Sequence, residues 1–135
     1  MDKDIRWQQR FQNFKKAFQQ LESSVKVKDP DLLQQQGIIQ CFEYTFELSW
    51  KTLQDFLFEK VGYEGLRGPK PVLEQAFQDD ILKNGEIWFD MLKSRNLTTH
   101  LYDEKEVQGV LKKIRNDYYP LFVELKLFFE KNLHD

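Results

Sequence analysis

The chain has 135 residues, of which 41% are hydrophobic and 15% aromatic, and its formal net charge is −2. This length predicts a single domain over residues 1–135, because a chain of this size buries about two-thirds of its unfolded surface. The nearly balanced charge excludes a broad basic surface for non-specific nucleic-acid binding, so any contact with nucleic acid should be local. The single cysteine excludes an intrachain disulfide.

The sequence also argues against a membrane location. No apolar stretch approaches the roughly 20 residues that a membrane-spanning helix needs. The first ten residues are charged and polar, without the apolar core of a signal peptide. We therefore predict a cytoplasmic protein that has no membrane contact.

The first predicted element is an amphipathic helix near the N-terminus. Its apolar side chains recur at alternating steps of four and three, the period of a helix with one buried face. These side chains are Trp7, Phe11, Phe14, Phe18, Leu21 and Val25. Asp29 and Pro30 then predict the start of a second helix, with Asp29 as N-cap and Pro30 at the first helical position. That helix is expected to run to about Lys60.

Three glycines, Gly62, Gly65 and Gly68, mark the next segment as a loop. A phosphate-binding loop is disfavoured because no strand precedes these glycines and no Gly-Lys-Ser/Thr follows them. Pro71 is predicted to start a short helix that stops at Asn84-Gly85.

Two more helices complete the predicted fold. The first should end near Thr98-Thr99-His100, where β-branched residues lower helix propensity. Asp103 and Glu106 predict a capping box for the last helix, and Pro120 predicts a kink within it, because proline removes a backbone donor. No alternating strand pattern appears. The predicted fold class is all-α, an antiparallel up-down four-helix bundle with an additional short helix.

The segment with the most chemical content is 95–102, which contains Arg95, Asn96, His100 and Tyr102. Arginine offers phosphate a planar fork of donors, and histidine has the unperturbed pKa nearest to neutrality. On a helix Asn96 and His100 share a face, whereas Arg95 and His100 are about 140° apart around the axis. The segment is a candidate nucleotide or RNA site, with a cluster of structural surface residues as the alternative interpretation.

Arginine and histidine would also suit RNA cleavage by the RNA's own 2′-hydroxyl, which needs a base, an acid and a cation. One histidine cannot act as base and acid at once, but a two-fold dimer with two His100 side chains across one cleft would supply both. No His, Cys and carboxylate set has metal-ligand spacing, so we predict no metal site.

Arg95-Asn96-x-x-x-His100-x-Tyr102 resembles the Arg-Asn-x-x-x-His signature of HEPN-domain proteins, and within them the nucleotidyltransferase substrate-binding proteins. Supporting positions elsewhere are Trp50-Lys51, Leu53-Gln54-Asp55, Gly68-Pro69-Lys70-Pro71, Trp88, Met91-Leu92 and Tyr102-Asp103-Glu104. The resemblance implies a helical bundle that forms a homodimer, with the signature lining a cleft at or near the dimer interface. It also implies a small nucleotidyltransferase as partner, in a two-component, toxin–antitoxin-like module.

The resemblance further implies roles for individual residues. In nuclease-active members of the family, the positions matching Arg95 and His100 support metal-independent RNA cleavage. In some two-component systems, the tyrosine matching Tyr102 accepts an adenylyl group from the partner enzyme, which silences the nuclease. Tyr102 is therefore a candidate for modification.

Asp103 and Glu104 follow the motif directly, and carboxylates at this position oppose a polyanion. They favour recognition over efficient RNA cleavage. We therefore expect a partner subunit of a small nucleotidyltransferase, with little or no activity of its own and no cofactor beyond a bound nucleotide. The predicted ligand-binding residues are Arg95, Asn96, His100, Tyr102 and Lys51. The alternatives are a dimeric ribonuclease toxin that uses Arg95 and His100, and an adaptor bundle without a ligand site.

Overall fold

The computed structural model describes residues 5–98, 101 and 103–133, and every regular element in these ranges is helical. The helices are α1 (Ile5–Val25), α2 (Leu32–Phe56), α3 (Pro69–Gln78), α4 (Gly85–Leu97), α5 (Glu104–Lys113) and α6 (Tyr119–Asn132). Five-residue π-helical segments extend α2 over Leu57–Val61 and join α5 to α6 over Ile114–Tyr118. The predicted all-α bundle is confirmed, with α3 as the short additional helix. Within the described ranges, no helix is both long and apolar enough to cross a bilayer.

Helix α1 buries one aromatic face against α2 and α6. Trp7 and Phe11, both predicted from the helical period, are fully inaccessible to solvent. Trp7 packs edge-on against Phe56 of α2, with ring centroids 5.1 Å apart, and Phe11 lies 5.2 Å from Phe129 of α6. Each such pair adds about 0.5–1.5 kcal/mol beyond simple area burial. These contacts fix α1 along the two helices beside it.

The start of α2 differs from the prediction by two residues. The N-cap is Asp31, whose side chain accepts from the Gln34 N–H at 2.8 Å while Gln34 Oε1 accepts from the Asp31 N–H at 2.9 Å. Asp29 instead has a φ of 48°, and Pro30 precedes the helix. A cap at Asp29 would place Leu32 at the third helical position, where no side-chain acceptor could complete the capping box.

The loop at 62–68 begins as predicted. Gly62 has a φ of 97°, a left-handed conformation that glycine adopts without steric penalty, and it ends the extension of α2. The Tyr63 hydroxyl accepts from Gln75 Nε2 at 3.0 Å and donates to Asp79 Oδ1 at 3.2 Å. These bonds hold the loop against α3.

Helix α3 is displaced toward the N-terminus relative to the prediction. It begins at Pro69 rather than Pro71, after Gly68 with a φ of 85°. Proline fits there because the first helical N–H groups have no intrahelical acceptor. The helix ends at Gln78, before the predicted stop at Asn84-Gly85, where α4 begins.

The predicted last helix, with its kink at Pro120, is divided in the structure into α5 and α6 by the π-helical segment Ile114–Tyr118. This segment ends just before α6, where Pro120 lies in the first helical turn and needs no intrahelical acceptor. Tyr118 is fully buried in the bundle. At the start of α5, Asp103 is the N-cap as predicted, and its Oδ1 accepts from the Glu106 N–H at 2.8 Å, which is one of the two bonds of the predicted capping box.

Candidate functional site

The candidate site lies where the last turn of α4 meets the middle of α2. Arg95 Nε is 2.8 Å from Glu47 Oε1, at an angle that does not make a hydrogen bond, so the contact is an ion pair. The Thr98 hydroxyl is within hydrogen-bond distance of the Glu43 carboxylate and of the Arg95 carbonyl. Two glutamates on successive turns of α2 therefore hold the end of α4.

Lys51 lies one turn further along the same face of α2. Its Nζ is 3.9 Å from Glu47 Oε2 and 5.8 Å from the centre of the Trp50 ring. The Arg95 and Lys51 side chains are 37% and 41% exposed. Both cations thus remain partly accessible to solvent, so an anionic ligand can reach them and compete with Glu47. The structure thus brings two predicted ligand residues together around one carboxylate.

The other predicted site residues are only partly described. Asn96 is exposed next to Arg95 on α4. His100 and Tyr102, the candidate catalytic and modification residues, lie outside the described residues, and their placement relative to Arg95 stays a prediction. In the described ranges, no group of three His, Cys, Asp or Glu side chains is arranged to hold a metal ion.

Sequence reasoning missed the two glutamates that contact α4. Glu43, Glu47 and Lys51 recur every four residues, a spacing that puts all three on one face of a helix. We call this face the α2 stripe, and its side chains lie within about 80° around the axis at 3.6 residues per turn. The α2 stripe consists of Gln36, Gln40, Glu43, Glu47, Lys51 and Gln54.

A first cavity, which we call the acidic groove, opens beside the N-terminal half of the α2 stripe. It has a volume of about 960 Å³ and lies between α2 and the segment leading into α5. Among the described lining residues, the charged ones are Glu43, Asp103 and Glu104. Leu32 and Leu33, 68% and 78% exposed, form its apolar wall. Three carboxylates without a cation in the described lining give the groove a negative potential, which repels phosphate.

A second cavity, which we call the loop cavity, opens at the C-terminal end of the α2 stripe. Its volume is about 590 Å³. Arg6 of α1, Gln54 and Asp55 of α2, Phe58 and the loop residues 63–67 line it. Along α2, the Arg95–Glu47 ion pair lies between the two cavities.

On its other side, α4 is held by Tyr118. The Tyr118 hydroxyl donates to Asp90 and lies 2.7 Å from Ser94 Oγ, while Lys113 Nζ is 3.2 Å from Asp90 Oδ2. Burial and the neighbouring carboxylate raise the pKa of Tyr118 well above its usual value. Burial alone would raise the pKa of Asp90, but hydrogen bonds from Tyr118 and Lys113 outweigh it, so that pKa is lowered. Because Ser94 precedes Arg95, this network fixes the rotation of α4 and hence the direction of Arg95.

Comparisons with known proteins agree with this fold. A family model described as nucleotidyltransferase substrate binding protein like matches residues 9–131. The probable ribonuclease HepT of Haemophilus influenzae is 26% identical over 102 residues, 73% of this chain and 70% of that protein. A crystal structure of a Thermus thermophilus protein is 33% identical with a TM-score of 0.77, covering 83% of this chain and 94% of that one. The resemblance found in the sequence is confirmed: the chain belongs to the nucleotidyltransferase substrate-binding protein-like family.

Proposed function

We propose that this chain is the substrate-binding partner of a small nucleotidyltransferase in a two-component, toxin–antitoxin-like module. The observation that supports this best is the arrangement of Arg95 and Lys51 around Glu47. A guanidinium carries five N–H donors, and the contact with Glu47 is made at Nε. In this proposal, both cations bind a phosphate of the substrate, and Glu47 keeps them in position while the site is empty.

The acidic groove is the proposed docking surface for the nucleotidyltransferase. The exposed Leu32 and Leu33 offer apolar contact, and the carboxylates of Glu43, Asp103 and Glu104 favour a partner surface rich in Lys and Arg. Docking there would bring the enzyme beside Thr98 and Leu101, which line the groove.

We also propose that the chain is a cytoplasmic homodimer. A two-fold contact centred on the acidic groove would bring like carboxylates together, because such a contact pairs the same patch of both subunits. The dimer should therefore use another part of the surface and leave the groove to the enzyme.

Co-expression with a small nucleotidyltransferase from the same genome tests this proposal. The two proteins should purify as a stable complex that binds labelled ATP or RNA. Arg95→Ala should weaken ligand binding about tenfold or more, since a hydrogen bond to a charged group contributes about 1.5–3 kcal/mol. The enzyme complex itself should persist in this variant.

Lys28→Ala is the matched control, because it removes one exposed positive charge from the connection between α1 and α2 that lines neither cavity. It should leave ligand affinity unchanged. Independent migration of the two proteins, or unchanged ligand binding by Arg95→Ala, would contradict the proposal.

A metal-independent ribonuclease is the second candidate, supported by the similarity to probable ribonuclease HepT. It would act as a dimer through Arg95 and His100 and be silenced by adenylylation of Tyr102. The purified chain should then cut RNA in the presence of EDTA and leave a 2′,3′-cyclic phosphate. His100→Ala should abolish the cleavage while circular dichroism remains unchanged. Cleavage that survives this substitution would remove His100 from the mechanism, and mass spectrometry after incubation with ATP and the enzyme tests Tyr102.

A further inference from the structure

The loop cavity has no role in the function proposed above, although three separate segments of the chain build it. Helix α1 contributes Arg6, the end of α2 and its extension contribute Gln54 and Phe58, and the loop contributes Arg67. The bonds of Tyr63 to α3 fix the loop wall. The cavity is therefore a preformed feature rather than a gap beside a single helix.

The charges in the loop cavity are mainly positive. In the described part of the chain, Arg6 and Arg67 have no acidic partner. Asp55 is 5% exposed and pairs with Arg10 at 2.8 Å, which neutralises its charge. Glu64 is the remaining carboxylate among the described lining residues, and it is exposed. Two guanidinium groups without an acidic partner among the described residues thus line one cavity, and arginine is the side chain best suited to bind phosphate.

A further feature of the loop cavity matches a nucleotide. Phe58 is 54% exposed and offers an aromatic face for base stacking. A ligand with a phosphate and a flat ring would contact both the arginines and this ring.

Lys51 connects the loop cavity with Arg95 along the α2 stripe. From Glu47 to Phe58, α2 and its extension rise about 16 Å at 1.5 Å per residue. Stacked nucleotides follow one another at about 3.4 Å along a strand, so several phosphates would lie over this distance. Beyond Arg95, the carboxylates of the acidic groove repel phosphate, so the strand would not extend further in that direction along α2.

We infer that the loop cavity is a second phosphate-binding subsite and that the substrate is a single-stranded oligonucleotide. The strand runs from Arg95 over Lys51 to Arg6 and Arg67, with one base stacked on Phe58. This inference rests on the proposed function and names its substrate class. A net charge of −2 is compatible with it, because the strand would need only a few local cations and not a broadly basic surface.

Fluorescence anisotropy of the full chain with labelled decauridylate and with labelled ATP tests this inference. The double variant Arg6→Ala/Arg67→Ala should weaken decauridylate binding about tenfold or more and leave ATP binding at Arg95 unchanged. Its salt dependence should fall by about 1.4 in slope, because each lost phosphate contact of a single strand contributes about 0.7. Phe58→Ala should weaken decauridylate binding about tenfold through lost stacking.

The matched control is Lys16→Ala/Lys28→Ala, which removes two exposed charges outside both cavities. It should change neither affinity. Unchanged decauridylate binding by the double arginine variant, while Arg95→Ala loses both ligands, would overturn the second subsite and leave the proposed function intact. Equal losses of decauridylate and ATP in the double variant would overturn the oligonucleotide assignment. Full binding of both ligands by Arg95→Ala would instead overturn the proposed function.

Discussion

The acidic groove and the loop cavity open onto the same stripe of α2, yet they have opposite electrostatic character. The groove combines exposed leucines with carboxylates, whereas the cavity combines arginines that lack an acidic partner in the described ranges with an exposed aromatic ring. Arg95 and Glu47 lie between them along the helix. The two ends of one helix face can therefore bind different kinds of partner, because a polyanion is repelled at one end and attracted at the other.

The two regions also differ in how their walls are held. Around the loop cavity, α1 is tied to α2 by the Arg10–Asp55 pair and by the Trp7 N–H, which donates to Glu59 Oε1 at 2.8 Å. The outer wall of the acidic groove is the short segment before α5, which Asp103 holds through its cap. The cavity is thus suited to a ligand that needs fixed geometry, and the groove to a protein surface that can adapt.

The largest expected effect comes from a substitution in the acidic groove. Leu33→Asp should weaken binding of the nucleotidyltransferase about 10- to 100-fold, because burying one leucine contributes about 1.5–3 kcal/mol. Decauridylate binding should stay unchanged. The fold should tolerate the change, since Leu33 is 78% exposed and an acidic side chain is favourable in the first turn of a helix. Surface plasmon resonance with the immobilised enzyme measures the affinity.

Leu127→Asp on α6 is the control for that prediction, because Leu127 is 58% exposed and does not line the groove. It should leave enzyme affinity unchanged. Equal losses for the two variants would mean that the enzyme does not select the groove.

A smaller effect is expected behind α4, where Tyr118 sets the direction of Arg95 between the two cavities. Tyr118→Phe keeps the ring in the core but leaves Ser94 Oγ buried without this partner, at a cost of about 1–2 kcal/mol. Urea denaturation should show this loss at neutral pH. Decauridylate affinity should fall as well, because Arg95 loses its fixed orientation. If stability falls by this amount but decauridylate affinity does not change, the hydrogen bonds of Tyr118 have only a structural role.

The same variant should change the response to pH. The pKa of Tyr118 is raised in the folded state, so its protonated form stabilises the fold below its ordinary pKa of about 10, and this contribution is lost as pH rises further. For Asp90 the pKa is lowered, so its contribution is present above about pH 4 and lost as pH falls. Tyr118→Phe should therefore remove part of the destabilisation of the wild-type protein above pH 10, as thermal melts at several pH values would show.

The helices could be predicted from the sequence because their signals are local. The four-and-three spacing of α1 and the cap at Asp103 depend on residues within one or two turns. The start of α2 was misplaced because Asp29-Pro30 and Asp31 offer competing caps, and the reciprocal bond of Gln34 decides between them. The end of α4 near Thr98 was predicted correctly because it depends on a local signal, the low helix propensity of β-branched residues.

The candidate site could be predicted only in part. The motif identified Arg95, but its pairing with Glu47 depends on how α4 packs on α2, and no local pattern encodes that packing. Arg6 and Arg67 are distant in the chain and line one cavity only because α1 and the loop both lie beside the end of α2. Sequence spacing thus identifies the chemical groups, while tertiary packing decides which of them share a cavity.

The smallest predicted effect concerns Glu47, which lies between the two cavities along α2. Glu47 pairs with Arg95 and lies within reach of Lys51, so it competes with a phosphate for both cations. Glu47→Gln should raise decauridylate affinity about two- to fivefold at low salt, because a partly exposed ion pair contributes about 1 kcal/mol or less. The gain should shrink as salt screens the charges. Glu124→Gln on α6 makes the same change away from both cavities and should have no effect. A loss of decauridylate affinity in Glu47→Gln would mean that the carboxylate orients the Arg95 guanidinium and does not compete for it. The Arg95–Glu47 ion pair between the two cavities would then be a positioning contact.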